Sequence, residues 1–245
     1  MNVICEMRQA VIVLGGAFNP IHTQHVALLT LVKDQLETTG EWKILGGYFA
    51  VATDQYVKQK LSRRNEQTIR IQHRLALVRE AIRDTPWLME SPFQNEMLTQ
   101  HDGSAFALGQ RLKRYWHDSN SIELIIVIGG DRMVKHGIPI WRKPTTQAQS
   151  SIIRVGIDRD LDLYRLWQED LRENRIPNQD QFLIFQASVA PVSSTLVRSY
   201  LARWLSANDD RSTQEEIEET LVDQQQFVNR HVMNYIKTHH ENLYS

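Results

Sequence analysis

The pattern that most constrains the fold is an alternation: short runs of apolar, largely β-branched residues are separated by longer segments of helical period. Val11–Leu14, Ile44–Val51, Leu124–Ile128, Ile152–Ile157 and Phe182–Phe185 have the length and composition of buried strands. Apolar residues recur at helical spacing through Val26–Leu36, Ile69–Ile82, Phe106–Trp116, Thr195–Leu205 and Phe227–Thr238. Strands separated by helices require βαβ units with right-handed crossovers. The expected class is α/β: a doubly wound, mostly parallel sheet with helices on both faces and a C-terminal helical segment. Residues 1–245 read as a single domain. Two stretches stand outside the alternation, 158–181, rich in charge, and 206–219, acidic and polar; both read as solvated insertions or surface helices.

Ligands of such sheets sit beyond the carboxyl ends of the strands, and that is where the distinctive residues fall. "VIVLGGAFNPIHTQHVALL" runs a strand into Gly15 and Gly16 and then places His22 and His25 three residues apart as a helix begins. Small residues there let backbone N–H groups approach a phosphate, and a helix start adds partial positive charge. No full G-x-G-x-x-G follows, which disfavours a dinucleotide-binding dehydrogenase. For the two histidines three readings stand: polar or capping residues, metal ligands lacking a third partner at recognisable spacing, or donors to a phosphoryl group whose charge grows during reaction. "LIIVIGGDRMVK" repeats strand, glycine pair and expected helix start at Gly129, Gly130 and Asp131. Its carboxylate suits ribose hydroxyls or a helix N-cap. "PVSSTLVRSYL" offers Ser193, Ser194 and Thr195 at a further helix start, with Arg198 one turn in, a combination suited to a polyphosphate.

Charge and cysteine usage narrow the partners. A formal net charge of -1 provides no global basic field for a nucleic-acid polymer or an anionic membrane, so any bound anion is expected to be small. Cys5 is the single cysteine, which excludes an intrachain disulfide and a thiolate cluster. No run of 18 apolar residues occurs and no secretory signal pattern opens the chain. A soluble, cytoplasmic protein is the expectation.

"GGAFNPIHTQH", "IGGDRMVK" and "VSSTLVR", in this order, resemble the nucleotidylyltransferase superfamily with its (H/T)-x-x-H and S-S-T-x-x-R motifs. Within it the chain looks most like the eukaryotic-type branch of nicotinamide/nicotinate mononucleotide adenylyltransferases. "GGYFAVATDQYVKQKL", "GIPIWRKP" and "FVNRHVMNYIKTHHENLYS" carry the narrower likeness. The resemblance implies a Rossmann-like fold and transfer of AMP from ATP to a pyridine mononucleotide, forming NAD or deamido-NAD and pyrophosphate by in-line displacement, with Mg²⁺ arriving on ATP. It implies His22, His25 and Arg198 as catalytic groups. Gly15, Gly16, Ala17, Phe18, Gly129, Asp131, Ser193, Ser194 and Thr195 would bind ATP. Lys58, Phe106 and Trp141 would bind the mononucleotide, with Trp141 stacking on the pyridine ring.

The chain also departs from the branch's pattern. Ala17 stands where that branch often has serine, Gln24 where bacterial members usually have glycine, and Ser104 where an aromatic or a backbone clamp is usual, with Phe106 close by. The alternatives are a nucleotidylyltransferase acting on another phosphorylated small molecule and a non-catalytic ATP or NAD sensor. Partners implied are ATP and a pyridine mononucleotide, no nucleic-acid polymer and no membrane, with homo-oligomer formation left open.

Overall fold

A computed structural model describes residues 7–62, 66–93, 104–115, 122–144, 152–158, 162–186, 192–207, 210–224 and 226–244. Six strands form the main sheet: β1 (Arg8–Gly16), β2 (Trp42–Val51), β3 (Leu88–Glu90), β4 (Ile122–Gly129), β7 (Ile152–Asp158) and β8 (Phe182–Gln186), in the order β3-β2-β1-β4-β7-β8. A two-stranded ladder, β5 (Val134–Lys135) with β6 (Ile138–Pro139), stands apart. The helices are α1 (Thr23–Thr38), α2 (Asp54–Ser62), α3 (Ile71–Ile82), α4 (Ala105–Tyr115), α5 (Asp162–Arg172), α6 (Ser194–Ser206), α7 (Arg211–Glu219) and α8 (Arg230–His239).

β1 pairs in parallel with β4, β4 with β7 and β7 with β8, which explains why these strands read as continuous apolar runs: a parallel strand is covered on both faces. Val11, Ile12, Val13 and Leu14 are buried beside Leu124, Ile125, Ile126 and Val127. The strand order reverses between β1 and β4, the switch point at which doubly wound sheets bind ligands; β1 ends in a glycine pair, and Gly130 follows the Gly129 that ends β4. The architecture is the expected Rossmann-like α/β sheet with helices around it.

The described chain divides into two compact units. The first comprises residues 1–15, 29–48 and 105–189, and the second 16–28, 49–104 and 190–245. In the first, Met133, Trp141, Leu163, Trp167, Ile176, Phe182 and Ile184 form a hydrophobic cluster. Leu163, Trp167 and Ile176 come from the charged stretch 158–181, where α5 turns Leu163, Trp167 and Asp170 inward. In the second unit Asn229 caps α8, accepting from the Val232 N–H at 2.9 Å, while its amide donates to the Glu80 and Ala81 carbonyls at the end of α3. α7, within 206–219, is capped by Asp210 and buries Ile217.

The segment after β4 differs from the expected helix start. Gly130–Arg132 makes one 3-10 turn, and the chain then enters the β5–β6 hairpin. His136 and Gly137 adopt φ of 53° and 75°, the positive pair a tight two-residue hairpin turn needs. A helix is stopped there, and Pro139 has no N–H with which to continue one.

Candidate functional site

In the second unit the residues after β1 form a tightly determined loop. A Cβ on Gly16 would lie 2.8 Å from the Phe18 ring, so a larger residue does not fit. Phe18 itself holds a left-handed backbone (φ 45°), costly for an aromatic residue, and is kept there by burial edge-on to Phe49 at 5.3 Å and His25 at 5.0 Å. Asn19 is buried; its Oδ1 accepts from the Ile69 N–H at 2.7 Å and its amide donates to the Gln67 carbonyl.

His22 is the residue just before α1 and His25 stands in its first turn, their ring centroids 3.7 Å apart. The His22 N–H donates to His25 Nδ1 at 3.2 Å, so a side chain in the first turn reaches back to the residue before the helix, as in a capping box. An Nδ1 that accepts leaves the neutral ring's proton on Nε2. Nδ1 of this imidazole thus closes the helix end.

At the start of α6, Ser193 accepts from the Leu196 N–H at 3.2 Å and Ser194 Oγ donates to the Pro20 carbonyl at 3.0 Å. Arg198 donates to the Asn19 carbonyl at 2.7 Å and to Thr195 Oγ1 at 3.1 Å, and forms an ion pair with Glu66. The loop after β1 and the α6 start are thus bonded together through Arg198 and Ser194. Such an assembly, with imidazole N–H groups, a guanidinium and a helix N-terminus, suits a multiply charged anion. Lys58 is exposed on α2, and Ser104 is exposed. Sequence reading passed over Glu66 and also Arg74, a fully buried arginine of α3. The one signal for Arg74 is a cation inside the apolar spacing of "IQHRLALV".

The first unit holds the other expected residues. A Cβ on Gly15 would lie 2.9 Å from the Ala105 Cβ, at the start of α4, where Phe106 follows half-buried. Gly129 ends β4 opposite Ile157, and a Cβ on Gly130 would meet the Ile157 carbonyl at 2.7 Å. Asp131 lies in the 3-10 turn, and its side chain is outside the described set.

Trp141 departs from expectation. It is wholly buried, edge-on to Trp167 at 5.6 Å, and its indole N–H donates to Asp170 Oδ2 at 2.7 Å. No face of the indole is open to a pyridine ring, so this tryptophan is a core residue in the structure. Asp170 is the polar centre of that core: Arg142 donates to both its oxygens, at 2.6 and 2.8 Å, and Arg175 to Oδ1 at 2.6 Å. These bonds, Arg142's foremost, hold its carboxyl well below the usual carboxylate range against the opposing effect of burial.

Among the described residues no group of three or more His, Cys, Asp or Glu side chains could hold a metal ion, and no helix is long and apolar enough to cross a membrane.

Residues 13–200 match the family model described as cytidylyltransferase-like. The nicotinamide/nicotinic acid mononucleotide adenylyltransferase 1 of Bos taurus is 30% identical over 83 residues, 34% of this chain and 27% of that protein, so the match spans about a quarter of that relative's length. A probable nicotinate-nucleotide adenylyltransferase of Enterococcus faecalis is 27% identical over 196 residues, covering 79% of this chain and 74% of its own. Among solved structures, a Plasmodium falciparum nicotinic acid mononucleotide adenylyltransferase complexed with APC superposes with a TM-score of 0.53 at 11% identity, over 94% of this chain and 96% of that one; the likeness is one of fold. With more than half its length matched to one family model, from the first strand through the Arg198 helix, the chain belongs to the cytidylyltransferase-like family.

Proposed function

We propose that the protein transfers the adenylyl group of ATP to nicotinamide or nicotinate mononucleotide, releasing pyrophosphate and forming NAD or deamido-NAD. The observation that carries this reading is the His25 imidazole, whose Nδ1 accepts from the His22 N–H at the start of α1, just after a loop that Arg198 holds through the Asn19 carbonyl. The names of the relatives supply the adenylyl donor and the pyridine acceptor.

A mononucleotide phosphate oxygen forms a bond to the α-phosphorus of ATP as the bond from that phosphorus to the bridging oxygen breaks, and pyrophosphate leaves. No covalent enzyme intermediate is needed, so positioning and charge stabilisation carry the rate. His25 Nε2–H donates to the α-phosphate as its charge grows, with His22 beside it. Arg198 grips the terminal phosphates together with the Ser193–Thr195 helix start. Backbone N–H groups of Gly15, Gly16, Ala17 and Phe18 face the triphosphate, Gly129 and Asp131 hold the adenosine, and Lys58 meets the acceptor's phosphate. Mg²⁺ bound to ATP would supply charge neutralisation of the phosphates and need few protein ligands of its own. Phe106 is the remaining aromatic candidate for the pyridine. The cytoplasm is the proposed compartment, which a single cysteine suits.

The burial of Trp141 favours a second reading on one point. With the stacking surface covered, the acceptor could be another phosphorylated small molecule, handled by the same nucleotide machinery. Incubation with ATP and Mg²⁺ plus either pyridine mononucleotide, followed by chromatography of dinucleotide and an enzymatic pyrophosphate assay, decides. Dinucleotide formation in step with pyrophosphate supports the first reading. ATP binding without dinucleotide overturns it in favour of another acceptor or a nucleotide sensor.

A further inference from the structure

Arg74 is fully buried, a costly place for a guanidinium unless its donors are met. Here Nε donates to the Ile69 carbonyl at 2.9 Å, Nη1 to the Ala17 carbonyl at 2.8 Å and the Ala52 carbonyl at 2.7 Å, and Nη2 to Asp54 Oδ1 at 2.7 Å. One planar group thus joins four separate segments of the second unit: the loop after β1, the end of β2, the first residue of α2 and the approach to α3. Burial pulls its pKa down and Asp54 pushes it back up, but an arginine stays charged in either case. A lysine could not reproduce the contact, because an ammonium presents a point charge where these acceptors need a fork.

Ala17 precedes Phe18, whose left-handed φ needs holding, and Phe18 lies edge-on to His25. From the other side the Ala52 N–H donates to the Gly16 carbonyl at 2.9 Å, so Gly16 and Ala17 are tied to the end of β2 twice, once directly and once through Arg74. Ile69, whose carbonyl Arg74 takes, gives its own N–H to Asn19. Asp54 opens α2, and Lys58 is one turn further along the same face. We propose that Arg74 is a positioning residue for nucleotidyl transfer. Its guanidinium sets the path of residues 16–19, and with it the ring of His25, and anchors the start of α2, and with it Lys58. This inference rests on the phosphate-handling role assigned above to His25 and Lys58.

The test compares Arg74→Lys, Asp54→Asn and His25→Ala in the full chain, with kcat and both KM values measured per folded molecule, well below each melting temperature. Arg74→Lys is expected to lower kcat by about 10- to 100-fold, a loss that saturating substrate does not restore, since small misplacements of reacting groups cost up to that much. A purely structural role would lower the melting temperature and leave kcat of the folded fraction unchanged. Asp54→Asn keeps the arginine and its carbonyl contacts but weakens the α2 anchor, so the mononucleotide KM should rise by about three- to tenfold with a smaller change in kcat. A folded Arg74→Lys with wild-type kcat overturns the proposal. If that variant fails to fold, Asp54→Asn decides, and an unchanged mononucleotide KM overturns it. His25→Ala separates the two levels: lost turnover there beside a wild-type Arg74→Lys refutes positioning alone. Full turnover in His25→Ala refutes the reading of the site and the proposal with it.

Discussion

Replacing Trp141 by alanine tests whether this residue belongs to the core or to a ligand. In the structure the indole has no exposed surface, meets Trp167 edge-on and gives its N–H to a carboxylate that is itself buried. Truncating such a side chain removes its transfer energy and leaves a cavity, together about 3–5 kcal/mol. Taking about 4 kcal/mol, and about 2–4 °C per kcal/mol for a chain of this size, the melting temperature should fall by about 8–16 °C. Trp141→Phe keeps most of the volume but removes one of the two donors to Asp170 Oδ2, which keeps Arg142, a loss of about 1–2 kcal/mol and a few degrees. Thermal unfolding by circular dichroism gives the melting temperatures. Steady-state kinetics, at a temperature where wild type and both variants are folded, give KM for ATP and for the mononucleotide. Core packing predicts the two-step loss of stability with both KM values moving together, if at all. A Trp141→Ala protein that melts within about 2 °C of wild type, with only the mononucleotide KM raised, would refute the reasoning. It would return the indole to a pyridine pocket.

His25→Ala should lower turnover by about 10²–10³ with the fold retained, because a donor to developing charge is lost, and unchanged kcat in the folded protein counts against the mechanism. Glu66→Gln removes the carboxylate with which an incoming phosphate must compete for Arg198, so KM for ATP should fall by about three- to tenfold; a rise would mean that Glu66 orients the guanidinium instead. A pH effect is expected at His73, whose Nδ1 lies 2.9 Å from the Tyr235 hydroxyl and whose pKa is lowered, by burial first and by the neighbouring His239 second. A lowered folded-state value means that its contribution to stability is present above the ordinary histidine pKa, near about 6.5, and is lost as pH falls below it. Chemical denaturation from pH 7.5 to 5 should show that decline, and His73→Gln should flatten it; the same slope in the variant would assign the effect elsewhere.

What could be read from the sequence, and what could not, follows from the kind of atom that makes each contact. Parallel strands announce themselves because burial on both faces demands runs such as "LIIVI", and all five expected strands recur in the sheet. The three residues of β3 are too few to show a period, and α2, α5 and α7 are polar enough to resemble surface. Within the site, the side-chain motifs were visible because imidazole, hydroxyl and guanidinium groups are residue identities. The burial of Trp141 was not legible because what fills its surroundings, Asp170 and Trp167, lies in a stretch whose charge suggested solvent. Asp170 shows why composition misleads: a carboxylate counts as a surface residue until two arginines and an indole N–H converge on it, and those partners stand up to 29 residues away along the chain. Arg74 was less legible still. Three of its four acceptors are carbonyls of Ala17, Ala52 and Ile69, and a carbonyl is present at every residue, so no choice of amino acid records that it is needed. The side chains proposed to meet ligands are legible as residue identities, whereas the contacts through which Arg74 holds the neighbouring loop run largely to backbone carbonyls, which only the folded chain displays.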